Sequence, residues 1–186
     1  SAGGNINKPG IYEMDLGLSV EEFIFSDEWC GGIKRGKRLK ACVPGGSSVP
    51  IMTAAETEDC CLDYEGVVAR GSMLGSAGMI VMDDSTDMVY QIWRLARFYA
   101  HESCAQCTQC REGTAWTTKI LERILAGKGK AADLDLLLSL SENMTGKTIC
   151  VLSDSCAAPI VSGIAKFRSE FDAYLSGARQ PALAMA

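Results

Sequence analysis

Near residue 84 the hydrophobic pattern switches from short, interrupted runs to a sustained helical period. That switch limits the fold more than any single motif does. Before it lie most of the glycines and prolines, and the apolar stretches are short and separated by turn signals. "KPG" at 8–10 sets a turn, and "IYEMDL" at 11–16 reads as the strand after it. "LKACV" at 39–43 and "GMIVM" at 78–82 read as two further short strands. Ser19 followed three residues on by Glu22 predicts a capping box, with Val20, Phe23 and Ile24 on one face of the helix it starts. The expected result is a small mixed sheet carrying one or two helices. The glycine-rich stretch at 71–78, "GSMLGSAG", matches neither the dinucleotide nor the P-loop pattern, so close backbone packing is the better reading.

After residue 84 four amphipathic segments follow. The first places Met88, Val89, Ile92, Leu95, Ala96 and Tyr99 on one side. The second opens near Arg111, buries Ile120, Leu121, Ile124 and Leu125, and closes on Gly127. The third carries Leu134, Leu137, Leu138 and Met144 and closes on Gly146. The fourth opens with Pro159 near its first turn, buries Ile160, Ile164, Phe167, Phe171 and Tyr174, and ends at Gly177. Short connections predict an antiparallel four-helix bundle. The class is therefore α+β: a sheet domain over 1–83, a bundle over 84–178, and a tail over 179–186 expected to fray.

Charge and composition narrow the function. A net charge of −5 argues against nucleic acid as a partner, and the basic run "KRGKRLK" at 34–40 reads as a solvated loop face. No apolar run is long enough to span a bilayer, and no secretory signal is visible. The first residue is Ser1, so the chain is expected to be processed, truncated or a piece of something longer. The nine cysteines are odd in number and uneven in spacing, which suits a reducing compartment better than a disulfide framework.

Three of them, Cys104, Cys107 and Cys110, stand at two-residue intervals in "ESCAQCTQCREG", between the first and second bundle helices. Successive sulfurs at that interval converge as a loop curls. Zinc usually takes two separated CxxC pairs, whereas a four-iron cluster takes three close thiolates and a remote fourth, so the cluster is the favoured occupant. The connection between the third and fourth helices lies at the same end of an up-down bundle. It offers Cys150 and Cys156, and geometry does not choose between them. His101 reads as a helix C-terminal residue favoured by the dipole. Arg111 and the free N–H groups of the second helix favour an anionic centre, while Glu102 opposes it. Cys30, Cys42, Cys60 and Cys61 read as small buried hydrophobes or idle thiols.

"ESCAQCTQCREG" followed by "TICVLSD" at 148–154 resembles the NADH-oxidising flavoprotein subunit of respiratory complex I, whose pattern is close to ESCGxCxPCREG with a later TxCxLGD segment. The resemblance implies a [4Fe-4S] cluster on Cys104, Cys107, Cys110 and Cys150. The stretches "GNINKPGIYEMDLG", "GGIKRGKRLKACVPGGSS" and "GSMLGSAGMIVMDD" resemble that family's ubiquitin-like β-grasp domain. Three residues depart from the pattern: Ala105 and Ser153 replace glycines, and Gln109 replaces a proline. Cys156 is an extra thiol nearby. The family's FMN and NADH sites belong to an N-terminal domain with a GRGGAGF-like motif, which does not occur in this sequence. The resemblance therefore implies the electron-transfer part of an NADH dehydrogenase, passing single electrons from reduced FMN on another domain or chain to the next iron–sulfur centre. It implies as partners the FMN/NADH-binding portion, a thioredoxin-like [2Fe-2S] subunit and a large iron–sulfur subunit. They would sit in a peripheral arm on the cytoplasmic side of a bacterial inner membrane or the matrix side of a mitochondrial one. Two alternatives are the diaphorase portion of an NAD-linked hydrogenase or formate dehydrogenase, and a docking module with structural zinc.

Overall fold

The computed structural model describes residues 1–183. The chain divides into two compact units, one ending at Thr86 and the other beginning at Asp87.

The first unit holds strands β1 (Ala2–Gly4), β2 (Leu39–Val43), β3 (Met52–Thr53) and β4 (Met79–Asp83) in a sheet of order β1-β4-β2-β3. β4 runs parallel to β1 and antiparallel to β2, and β3 closes the far edge antiparallel to β2. The sheet is mixed, as expected, and β2 occupies the anticipated residues. The strand expected at 11–16 is absent. Pairing with the sheet stops just before it, where Gly10 and Ala2 exchange backbone bonds of 2.8 and 3.0 Å. Ile11 is 90% exposed, while Tyr12 and Met14 pack half-buried against the core, so the alternation marks a partly covered face without a strand ladder. Tyr12 leaves the sheet edge to meet Phe23 and Trp29 edge-on, with centroids 5.6 and 6.1 Å away.

Helices α1 (Val20–Phe25), α2 (Ala54–Thr57) and α3 (Tyr64–Ala69) complete this unit. Ser19 caps α1 by accepting the Glu22 N–H at 3.0 Å. The full reciprocal box forms at Thr53 and Glu56, ahead of α2. α2 and α3 are too short for periodicity to reveal. Ile6, Val20, Ile24, Cys42, Met52, Val67 and Val81 form the core. Cys30 and Cys60 are buried with them, and burial pushes the Cys30 thiol up to about 11. The glycine-rich stretch packs tightly: a Cβ on Gly75, at φ +51, would lie 2.3 Å from the Gly45 carbonyl oxygen. The basic run is paired within the unit, Lys37 with Asp83 at 3.6 Å and Arg38 with Asp84 at 3.3 Å.

The second unit holds α4 (Met88–Glu102), α5 (Thr108–Leu125), α6 (Ala132–Met144), α7 (Leu152–Lys166) and α8 (Arg168–Leu175). α4 and α6 each pack against both α5 and α7, so the first four make a bundle. The apolar faces read from the sequence are its core: Ile92, Leu121, Ile124, Leu134, Leu137, Ile160 and Phe171 are fully buried. Among the described residues no helix is long and apolar enough to cross a membrane.

Three boundaries differ from expectation. α5 begins at Thr108, one turn before Arg111, which brings Cys110 into its first turn. The fourth helix begins at Leu152, so Pro159 lies in its interior and not at its start. Proline deprives the Ser155 carbonyl of a helical donor, yet burial of Cys156, Ala157 and Ile160 on that stretch keeps it helical. The same segment breaks at Phe167 (φ −122, ψ 31), so α8 is a separate helix. Part of the tail expected to fray is docked: Arg179 bonds Glu170 at 3.1 Å, and the Ala182 N–H reaches the Leu125 carbonyl at 2.9 Å. Residues 184–186 lie outside the described residues.

Candidate metal centre

Two turns meet at one end of the bundle. The first leaves α4 through its C-cap, Ser103, whose Oγ accepts the Ala105 N–H at 3.3 Å and lies 3.3 Å from Cys110 Sγ. Cys104 is exposed on this turn. Ala105 adopts φ +64, a left-handed conformation that costs a residue with a Cβ about 1–2 kcal/mol. Its carbonyl accepts a 2.9 Å bond from Arg111 Nη1, which ties the turn back to α5. Arg111 also bonds Glu112 at 2.9 Å, so only part of its charge serves the turn.

Cys107 is the N-cap of α5 and makes no side-chain capping bond. The helix's first N–H groups therefore point off its end, where they favour negative charge. Cys110 sits within the first turn and is buried. One turn on, Gly113 lets Met144, the last residue of α6, lie over α5. A Cβ there would be 2.5 Å from Met144 Sδ.

The second turn joins α6 to α7 and carries Cys150, which is exposed. It reaches the first turn through a 3.4 Å contact from the Ile149 N–H to Cys107 Sγ. Thr148 Oγ1 donates to the Cys150 carbonyl at 2.8 Å and lies 2.6 Å from Ser153 Oγ. Ser153 is fully buried and also reaches the Met144 carbonyl at 3.2 Å. Asp154 accepts the Gly146 N–H at 2.9 Å.

The fold thus brings Cys104, Cys107, Cys110 and Cys150 to one end of one bundle. It does not draw their sulfurs to a point: among the described residues no three Cys, His, Asp or Glu side chains stand close enough to hold a metal ion. Cys104 and Cys150 are exposed. Cys156 faces Cys110 from within α7. It has no exposure, and burial, with Cys110 beside it, pushes its thiol up to about 12. His101 is 85% exposed at its side chain and stands 4.0 Å from Glu102. Ser103, Thr148 and Ser153 are the contributors that spacing alone does not reveal, although Thr148 and Ser153 lie inside "TICVLSD". The donor set of four thiols, set beside open helix N–H groups, fits the chemistry of an iron–sulfur cluster.

Residues 90–174 match the NADH-ubiquinone oxidoreductase-F iron–sulfur binding region, a 4Fe-4S family. The chain is 44% identical over 181 residues to the F subunit of NADH-quinone oxidoreductase in Mycobacterium tuberculosis (strain ATCC 25618 / H37Rv), covering 97% of this chain and 40% of that protein. It is 43% identical over 178 residues to the F 2 subunit of the same enzyme in Rhizobium meliloti (strain 1021), covering 96% and 42%. The chain therefore spans about two fifths of the length of the curated relatives it matches. Among solved structures it superposes on an NAD+-reducing [NiFe]-hydrogenase in the H2-reduced state with a TM-score of 0.81 and 28% identity, covering 94% of this chain and 28% of that one. Residues 90–174 are thus similar to the NADH-ubiquinone oxidoreductase-F iron–sulfur binding region, and nearly the whole chain is similar to part of the F subunit of NADH-quinone oxidoreductase.

Proposed function

We propose that this chain is the electron-transfer portion of an NADH-quinone oxidoreductase flavoprotein, with Cys104, Cys107, Cys110 and Cys150 as the thiolates that hold its [4Fe-4S] cluster. The observation that carries the reading is the meeting of two cysteine turns, where the Ile149 N–H reaches Cys107 Sγ at 3.4 Å. Cys150 follows Ile149 directly on that turn, whereas Cys156 is enclosed in the bundle core. This burial favours Cys150 as the fourth ligand.

When bound, such a cluster accepts and gives up one electron at a time. The chain's own residues do the rest. The first-turn N–H groups of α5 favour an anionic centre, as does the part of the Arg111 charge not engaged by Glu112. Cys110 and Cys156 turn their side of the site toward the dry bundle core. Cys104 and Cys150 lie toward solvent, where a partner can approach. No acid or base is required of these side chains. The electron source in this reading is reduced FMN, charged by NADH on the remainder of the flavoprotein or on a partner chain. The acceptors are a thioredoxin-like [2Fe-2S] subunit and a large iron–sulfur subunit of a peripheral arm, on the cytoplasmic or matrix side of its membrane.

The resemblance to the NAD+-reducing hydrogenase supports a second reading, the diaphorase portion of such an enzyme. The lower identity, 28% against 44%, ranks it behind the first.

Iron, sulfide and zinc analysis, with paramagnetic resonance of the dithionite-reduced protein, tests the proposal. About four iron and four sulfide per chain with a reduced-state signal are expected. Stoichiometric zinc without a signal would sink it. Cys150→Ser should lose or degrade the cluster and Cys156→Ser should keep it; the reverse would move the fourth ligand to Cys156.

A further inference from the structure

The turn that carries Cys150 is short and exposed, yet both of its ends are fastened to the first turn of α7. At one end Asp154 accepts the Gly146 N–H at 2.9 Å. At the other, two hydroxyls run in series. Ser153 Oγ lies 2.6 Å from Thr148 Oγ1, and Thr148 Oγ1 donates to the Cys150 carbonyl at 2.8 Å. Ser153 Oγ also reaches the Met144 carbonyl at 3.2 Å and Asp154 Oδ2 at 3.4 Å, but its contact with Thr148 is the shortest, which assigns the Ser153 proton to Thr148 and the Thr148 proton to Cys150. Ser153 has no solvent exposure, so its hydroxyl cannot exchange this partner for bulk water.

We propose that Ser153 and Thr148 form a hydroxyl clamp that positions Cys150 as a cluster ligand. This rests on the reading of Cys150 given above and names the residues that hold it in place. The clamp acts on the ligand's own carbonyl. It therefore limits rotation of the Cys150 backbone, which sets the direction of the Cα–Cβ bond and so of the sulfur. Asp154 anchors the start of the turn and leaves the hydroxyls to fix its end. Groups that orient a ligand from behind typically change metal affinity by about 10- to 100-fold when removed.

The test uses the 186-residue chain reconstituted with ferrous iron and sulfide. Cluster loss to a ferrous chelator is followed by absorbance, and the dithionite-reduced form by paramagnetic resonance. Ser153→Ala and Thr148→Val should each speed cluster loss about tenfold and alter the resonance line shape. Thr148→Ser keeps the hydroxyl and should behave as the parent. The double variant Ser153→Ala, Thr148→Val should lose its cluster no faster than either single, because both remove one chain of bonds. Loss rates within twofold of the parent in both single variants would overturn the clamp, and so would multiplication of the two effects in the double variant. Should Ser153→Ala lose helix by circular dichroism, Thr148→Val, whose site is on the turn, decides alone. A parent chain that takes up no iron overturns the proposed function and the clamp together, and so is distinct from a parent that loads while its variants match it.

Discussion

The two ends of the bundle are built differently. At the end away from the cysteines, polar groups complete their bonds within the unit. Asp87 caps α4 through the Tyr90 N–H at 3.1 Å and receives the Tyr174 O–H at 2.6 Å. Glu170 accepts the Met88 N–H and Arg179 Nη1, both at 3.1 Å. Arg123 and Asp133 pair at 3.1 Å, with the Lys130 N–H adding a bond of 2.8 Å. At the cysteine end, hydroxyls and backbone groups hold two turns in place, but Cys104 and Cys150 face outward beside Ile149 and Val151, which are 86% and 73% exposed. One end closes the fold. The other leaves donor atoms available, and a bundle can do so because its core and its far end supply the stability.

That contrast can be broken at several points. The largest effect should come from stripping the metal of the loaded chain with a chelator. Its Tm should fall by roughly 10 °C or more, since cluster binding is linked to folding. Amide exchange should then rise at 103–110 and 145–151 and stay low around Asp87 and Tyr174. Equal loss of protection at both ends would erase the distinction.

Next, Asp87→Ala removes both an N-cap and the acceptor of a buried tyrosine hydroxyl. It should cost about 2–3 kcal/mol in denaturant unfolding while iron content stays at the parent level. A drop in cluster content would mean the ends are coupled.

A smaller effect should follow acid. Burial pushes the Asp133 carboxyl up, but bonds from Arg123 and the Lys130 N–H, with their charges, outweigh it and hold it below its ordinary value. A carboxyl lowered on folding contributes stability above its unfolded pKa of about 4 and loses it as pH falls through the folded value. Stability should therefore be level above pH ~4 and decline below it. Asp133→Asn should cost about 1.5 kcal/mol at neutral pH and flatten that decline. An unchanged acid limb would exclude this pair from the far end's contribution.

The smallest effect is expected at Ala105. Its left-handed φ suits glycine, so Ala105→Gly should raise the stability of the metal-free chain by about 1 kcal/mol or less. A loss would show that the methyl group packs usefully on the cysteine turn.

The departures from the family pattern acquire distinct meanings in the fold. Ala105 sits where the backbone demands the conformation that glycine adopts freely, and Arg111 binds the carbonyl of that strained residue. Ser153 adds a hydroxyl where a glycine would have none, at the foot of the Cys150 turn. Gln109 is exposed in the first turn of α5, and nothing in the structure gives it a role. The pattern at 11–16 misleads because alternation records which residues are apolar, while a ladder also needs a neighbouring edge in register. The start of α7 is hidden because proline biases the residue before it against helix, and burial of Cys156 and Ala157 overrides that bias.

Periodicity and spacing are local properties of a chain. They were enough to give the mixed class, the faces of the bundle helices and the close trio Cys104, Cys107 and Cys110, but they left the choice between Cys150 and Cys156 open. It took the packed chain to place Cys110 inside a helix, to set Cys107 against the Ile149 N–H, and to fasten the Cys150 turn through Ser153 and Thr148. Those facts depend on which helix ends pack side by side, and residues some forty positions apart become neighbours only when the core between them closes.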